Sequence, residues 1–68
     1  MHITPVKSTN ISGIGYENSV LEVHFTSGGI YKYLHVPSDV YSAFLSSPSK
    51  GHFHREKIMG HYPFVRLR

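Results

Sequence analysis

The most constraining feature of the sequence is an alternating segment, residues 20–26, that is followed by two glycines. Its apolar side chains are Leu21, Val23 and Phe25, and the polar Glu22 and His24 lie between them. A period of two is typical of a strand with one buried face. Ser27-Gly28-Gly29 predicts a tight turn, so residues 30–36 are expected to return as the second strand of an antiparallel hairpin.

The length of the hairpin loop determines which side chains reach the core. A three-residue loop with one left-handed glycine pairs Phe25 with Tyr31. Tyr31 and Tyr33 then face the core. Lys32 stands opposite His24 on the other face. A two-residue loop would turn every side chain to the opposite face. We predict the three-residue loop because it gathers the large apolar groups on one side.

The segments on either side of the hairpin predict one more strand and a helix. Residues 11–16 alternate around two glycines and predict a strand that precedes the hairpin. Pro37 suits the first turn of a helix, where Ser38 and Asp39 can cap free N–H groups. Residues 40–45 carry an apolar stripe at helical spacing.

A second, shorter helix is predicted near the C-terminus. Ser47 is its expected N-cap, Pro48 its first residue and Ile58 its approximate end. Gly60 is placed to end it in a left-handed conformation. Pro63 argues against a central strand in the remaining tail.

These elements predict an α+β fold in one domain, residues 1–68. A three-stranded antiparallel meander is followed by two short helices that pack on one face. The other face is expected to be polar and open to solvent. Residues 1–9 and 65–68 are expected to be flexible.

The composition limits how such a fold is stabilised. The chain has 68 residues, nine phenylalanines and tyrosines, and no cysteine. Disulfides and thiolate metal sites are therefore excluded, and the aromatic and aliphatic side chains must form the core. No signal peptide or membrane span is visible in the sequence, so we expect a cytoplasmic protein.

Positive charge is concentrated toward the C-terminus. Residues 50–68 carry five Lys and Arg against one acidic residue, a balance of +4, whereas residues 1–49 carry two against three, a balance of −1. A basic segment on a nearly neutral body favours a polyanionic partner, although a solubilising tail has the same composition.

Four segments in order resemble the KTSC domain. They are Gly28 to Tyr33, Val36-Pro37 followed by Tyr41, Ser49 to Phe53, and Ile58 followed by Tyr62. The family is named after its occurrence at the C-terminus of some lysyl-tRNA synthetases, and it also occurs as a small bacterial protein. The resemblance covers about residues 8–66. It implies a domain of unassigned function for which RNA binding has been suggested. The family's second aromatic after the serine–x–glycine step is replaced here by His54.

Basic side chains are the candidate phosphate ligands. Lys50, Arg55 and Lys57 on the second helix are expected to contact phosphates, and Lys32, Arg66 and Arg68 are expected to assist. Ser49-Lys50-Gly51 at the helix start could cradle a phosphate. The alternative is a solvated helix face.

Two tyrosines are candidates for base stacking. Tyr31 and Tyr33 resemble the strand aromatics on which bases stack in RNA-binding sheets. The alternative is that they fill the core, and the predicted register favours it.

The histidines do not form a metal-binding pattern, although the chain has six. His52 and His54 are two residues apart and would not share a helix face. His24 and Thr26 lie on one strand face, which is a weak signal for phosphodiester chemistry. We therefore expect no metal, no cofactor and no enzymatic activity.

Three functional hypotheses follow from the sequence. The first is a non-catalytic RNA-binding accessory module for tRNA or single-stranded RNA, which uses the basic helix and tail. The second is a protein-interaction module or homodimer, in which an exposed sheet edge or residues 62–65 pair with a neighbour. The third is a small phosphodiesterase that depends on His24.

Overall fold

A computed structural model describes all residues, 1–68. It contains one antiparallel sheet whose strand order follows the chain, β1-β2-β3-β4-β5. The strands are β1 (Ile3–Pro5), β2 (Ile11–Glu17), β3 (Val20–Phe25), β4 (Ile30–Tyr33) and β5 (Phe64–Arg66). The helices are α1 (Ser38–Ser46) and α2 (Lys50–Phe53), and α2 continues directly into a π-helix (His54–Ile58). The α+β class is confirmed. None of the helices combines the length and apolar character that crossing a membrane requires.

The predicted number of strands was wrong, because the sheet has five strands rather than three. The additional strands, β1 and β5, lie at its two edges and come from the terminal segments. Pro63 does not prevent β5, since it precedes the strand and its carbonyl accepts a hydrogen bond from the Leu34 N–H at 2.8 Å. Strands of three residues carry too little periodicity to be recognised, so only pairing with a neighbour reveals them.

The predicted hairpin register was wrong by two residues. Tyr31 lies opposite Val23, and Lys32 lies opposite Glu22 rather than His24. The loop has three residues, as expected, but it is Thr26–Gly28, and its glycine has a φ of 101°. Because a shift of two residues preserves the alternation, both tyrosines keep the predicted face.

The predicted helix starts differ from the observed ones. Pro37 is extended and precedes α1, and no side chain caps this helix. Ser49, rather than Ser47, is the N-cap of α2, and its hydroxyl accepts from the His52 N–H at 3.4 Å. The predicted end of the second helix is confirmed. Gly60 has a φ of 83°, which residues other than glycine rarely adopt.

The core lies between the sheet and the helices. Its fully buried members are Ile11, Ile14, Leu21, Val23, Tyr33, Val36, Phe44 and Ile58. Pairs of stacked aromatic rings pack at the edge of the core. Tyr16 stacks on Tyr41 with ring centroids 4.8 Å apart, and Phe44 stacks on Phe53 at 5.3 Å. Burial of these groups provides the main stabilising free energy in a chain without disulfides.

The face of the sheet that lies away from the helices is not uniformly open. The Ile3 side chain lies across Gly13 and Gly15, both of which are buried. A Cβ atom on Gly15 would lie 2.5 Å from Ile3 Cδ1 and 2.9 Å from the His2 carbonyl oxygen. The two glycines therefore make room for β1. This corrects the expectation that the face would be smooth and solvent-exposed at these positions.

Candidate nucleic-acid interface

A basic cleft lies where the β1–β2 loop meets the start of α2. It has a volume of about 390 Å³, and none of its lining residues is hydrophobic or acidic. The lining includes Lys7, Asn10, Ser49, Lys50, Gly51 and Arg55. Because no carboxylate lies in it, the positive charges are available to an anionic ligand.

Lys50 is the first residue of α2. Its ammonium donates a hydrogen bond to the Ser47 carbonyl oxygen at 2.6 Å. An ammonium has three N–H donors, so two remain for a ligand. Arg55 is the second residue of the π-helix. Its side chain is exposed and lines the same cleft. Two of the basic residues predicted from the sequence therefore lie together.

Lys7 is a third cation that sequence reasoning did not include. It lies on the loop between β1 and β2, 43 positions before Lys50 in the chain. The pairing of β1 with β2 brings this loop to the helix start. No local pattern in the sequence indicates that approach.

The other predicted phosphate ligands do not line the basic cleft. Lys32 lies on the opposite face of the sheet, 3.9 Å from a Glu22 carboxylate oxygen. Lys57 is exposed on the π-helix, outside every cleft. Arg68 accepts hydrogen bonds at its carbonyl oxygen from the Ile30 N–H and from Arg66 Nε. Arg66 itself lies elsewhere, beside an aromatic ring.

A second concavity, here called the aromatic pocket, opens beside β4 and β5. It has a volume of about 350 Å³. Its lining includes Phe25, Tyr31, Tyr33, His54, Phe64 and Arg66. Tyr31 packs on Phe64 with ring centroids 5.3 Å apart, and the Arg66 guanidinium carbon lies 5.6 Å from the centre of the Tyr31 ring. Such a cation over an aromatic face is a favourable contact.

The two candidate stacking tyrosines have different environments. Tyr33 is only 2% exposed and belongs to the core, as the alternative interpretation predicted. Tyr31 is half-buried, packs against the core and lines the aromatic pocket. Of the two, Tyr31 is the residue that a ligand could contact more extensively.

The Tyr33 hydroxyl forms a buried hydrogen bond with Nε2 of His54 at 2.7 Å. Burial raises the pKa of Tyr33 to about 12, with a smaller contribution from Tyr31. Burial lowers the pKa of His54, because the charged imidazolium loses its hydration. Both groups are therefore neutral near pH 7, and the pair is a polar contact inside an aromatic cluster.

A connecting cleft joins the two concavities. It shares Asn10, Gly51 and Arg55 with the basic cleft, and it shares Phe25, His54 and Met59 with the aromatic pocket, among others. The connecting cleft therefore lies between the basic cleft and the aromatic pocket, and the three adjoining concavities are together called the groove.

Comparison with known proteins supports the resemblance noted in the sequence. A family model described as the KTSC domain matches residues 7–62. The chain belongs to the KTSC domain family. The matched range contains the basic cleft and most of the aromatic pocket, while Phe64 and Arg66 lie beyond it.

Relatives of known sequence or structure agree with this assignment. An uncharacterized protein of Stutzerimonas stutzeri is 37% identical over 65 residues, which are 91% of this chain and 92% of the relative. A protein of Tsukamurella paurometabola is 37% identical over 51 residues, which are 72% and 76% of the two chains. A crystal structure of a KTSC domain protein from Yersinia pestis is 36% identical, covers 98% of this chain and 97% of its own, and superposes with a TM-score of 0.95. These relatives establish the family and the fold.

In this KTSC domain the imidazole of His54 takes part in the aromatic packing. Its ring lies edge to face with Phe25 at 5.1 Å and with Tyr33 at 5.5 Å. His54 thus contributes both ring packing and a hydrogen bond at this position.

The histidine singled out for phosphodiester chemistry lies away from the groove. His24 bonds to the Glu22 carboxylate on the face of the sheet opposite to His54. Thr26 donates its hydroxyl hydrogen bond to the Thr9 carbonyl oxygen. No three histidine or carboxylate side chains converge anywhere in the structure.

Proposed function

We propose that this KTSC domain binds single-stranded RNA without catalysing a reaction on it. The observation that supports the proposal is the composition of the basic cleft, where Lys7, Lys50 and Arg55 meet without a carboxylate. Lysine and arginine donate charge-assisted hydrogen bonds to phosphate oxygens, and arginine can donate two in parallel. Binding of this kind positions a strand and does not read its sequence.

The connecting cleft and the aromatic pocket support a single strand rather than a duplex. A strand with unpaired bases can place its phosphates on cations and its bases on aromatic side chains. The groove has both kinds of surface in adjoining concavities.

The test is a titration of a labelled oligouridylate by fluorescence anisotropy at several salt concentrations. Three phosphate contacts would lower the logarithm of the association constant by about 2 for each tenfold rise in salt. Each of Lys7→Gln, Lys50→Gln and Arg55→Gln should weaken binding by about tenfold at low salt.

Lys57→Gln is the matched control, since it removes the same charge from an exposed position outside the groove. It should change affinity much less than Lys50→Gln. Equal losses in both variants would mean that net charge, and not the basic cleft, determines binding. An absence of salt-sensitive binding would refute the proposal.

A second candidate is self-association through β5. This strand is an edge of the sheet, and its Phe64 and Val65 side chains are about half exposed, as is Leu67 beside it. Unpaired edge strands invite pairing with another chain. Sedimentation separates the candidates, because a concentration-dependent dimer that ignores RNA would favour this one.

A further inference from the structure

We propose that the aromatic pocket binds one nucleobase of the strand whose phosphates occupy the basic cleft. This inference rests on the proposed function, and it adds a site for an uncharged, planar, nitrogen-containing ring. The residues that would contact the base are Tyr31, His54, Phe64 and Arg66.

The apolar part of the aromatic pocket remains partly exposed to solvent. Phe64 is 55% exposed although it stacks on Tyr31 inside the pocket. All three residues of β5 are exposed, and the ring of Phe64 packs only on the neighbouring rings of Tyr31 and Tyr33. A base inserted here would remove that surface from water and stack on it.

The floor of the pocket carries a buried polar group. His54 is 9% exposed, and its Nε2 is engaged by the Tyr33 hydroxyl. Its Nδ1 has no hydrogen-bond partner in the protein, while the residue lines both the aromatic pocket and the connecting cleft. In a neutral imidazole one nitrogen donates and the other accepts, so Nδ1 can pair with a complementary atom on the edge of a base.

The backbone around His54 is also unusual. The residue begins the π-helix, in which the Met59 N–H donates to the His54 carbonyl oxygen at 2.8 Å. Segments of π-helix are rare and are frequently found at functional sites. This segment holds the imidazole at the junction of the two clefts.

Arg66 favours an anionic group at the mouth of the pocket. Its guanidinium is held over the Tyr31 ring and by the Arg68 carbonyl oxygen. A phosphate next to the bound base would meet this charge, whereas a neutral apolar ligand would gain nothing from it. The connecting cleft between the aromatic pocket and the basic cleft points to the same occupant, since a strand has both rings and phosphates.

The experiment compares two probes of equal length and charge, an adenylate tetramer and an abasic ribose-phosphate tetramer. We expect the adenylate tetramer to bind about tenfold more tightly. Phe64→Ala should lower its affinity to that of the abasic probe and leave the affinity of the abasic probe unchanged.

Val65→Ala is the matched control for Phe64→Ala. Val65 is the next residue on β5, is similarly exposed, and lies opposite Lys32 on the other face of the sheet. It should leave both affinities unchanged. His54→Phe tests whether the imidazole nitrogens contribute to base binding, because it retains an aromatic ring and removes the nitrogens. It should weaken the binding of the adenylate probe only. Amide spectra of each variant establish that the fold is intact.

The outcomes separate this inference from the proposed function. Equal, salt-sensitive binding of both probes would preserve the proposed function and overturn the base site. Equal effects of Phe64→Ala and Val65→Ala would also overturn it. Binding of neither probe would refute the proposed function and, with it, the assignment of a nucleobase to the aromatic pocket.

Discussion

The Tyr33 hydroxyl and Nε2 of His54 lie 2.7 Å apart, and this contact joins strand β4 to the π-helix across 21 positions of the chain. Both side chains are largely removed from water. The hydrogen bond therefore satisfies two polar groups at once, and neither can be changed without affecting the other.

The first prediction concerns stability in mild acid. Burial lowers the pKa of His54 in the folded chain, whereas an unfolded chain has a histidine pKa of about 6.5. The unfolded state then binds the proton more readily, so the free energy of unfolding should fall as pH drops below about 6.5. The slope from this group is at most about 1.4 kcal/mol per pH unit.

Urea unfolding at a series of pH values measures this effect. His54→Phe removes the titrating group and should flatten the part of the curve below about pH 6.5. The comparison concerns the slope rather than the absolute stability. An unchanged slope in the variant would show that another group is responsible.

The second prediction concerns the energy of the Tyr33–His54 contact. Tyr33→Phe leaves the buried Nε2 without its partner and should lower the free energy of unfolding by about 1–3 kcal/mol. In a double-mutant cycle with His54→Phe, the two losses should not add, and the double variant should be less destabilised than their sum. Additive losses would contradict a direct hydrogen bond.

The third prediction concerns two glycines with opposite surroundings. Gly15→Ala should destabilise the fold by about 1–3 kcal/mol, because the new methyl would collide with Ile3 and the His2 carbonyl. Gly51 lies in α2, and a methyl there would meet only Asn10 Nδ2 at 3.6 Å, an ordinary contact. Gly51→Ala should therefore stabilise by about 0.5 kcal/mol. Thermal unfolding of both variants tests the contrast, and a similar shift in both would contradict it.

The fourth prediction concerns two tyrosines that stack on each other. The Tyr16 hydroxyl donates to the Val36 carbonyl oxygen at 2.6 Å, whereas the Tyr41 hydroxyl has no partner in the protein. Tyr16→Phe should cost about 1 kcal/mol and Tyr41→Phe close to nothing, since both keep the stack. Chemical denaturation gives both values. A larger loss of stability in Tyr41→Phe than in Tyr16→Phe would contradict the prediction, because the Tyr41 hydroxyl has no hydrogen-bond partner in the protein.

Part of the candidate site could be predicted from local signals, although Lys32, Lys57, Arg66 and Arg68 do not line the basic cleft. The sequence placed Lys50 and Arg55 on the second helix and proposed Ser49 to Gly51 as a phosphate cradle, and these residues do line one cleft. The association of Lys7 with them could not be predicted, because it depends on β1 pairing with β2. The π-helix at His54 was also missed, since its i to i+5 hydrogen bond leaves no periodic signature in five residues.

The sequence by itself determined the α+β class, the central hairpin, the buried face of β4, the approximate span of both helices and the family resemblance. These properties follow from alternation, helical spacing and glycine or proline signals, all of which act over a few neighbouring residues. Only the tertiary structure decided the two edge strands, the hairpin register, the contact between Tyr33 and His54, and the meeting of Lys7 with Lys50. Each of these depends on contacts between distant parts of the chain, and a local pattern is compatible with more than one such pairing.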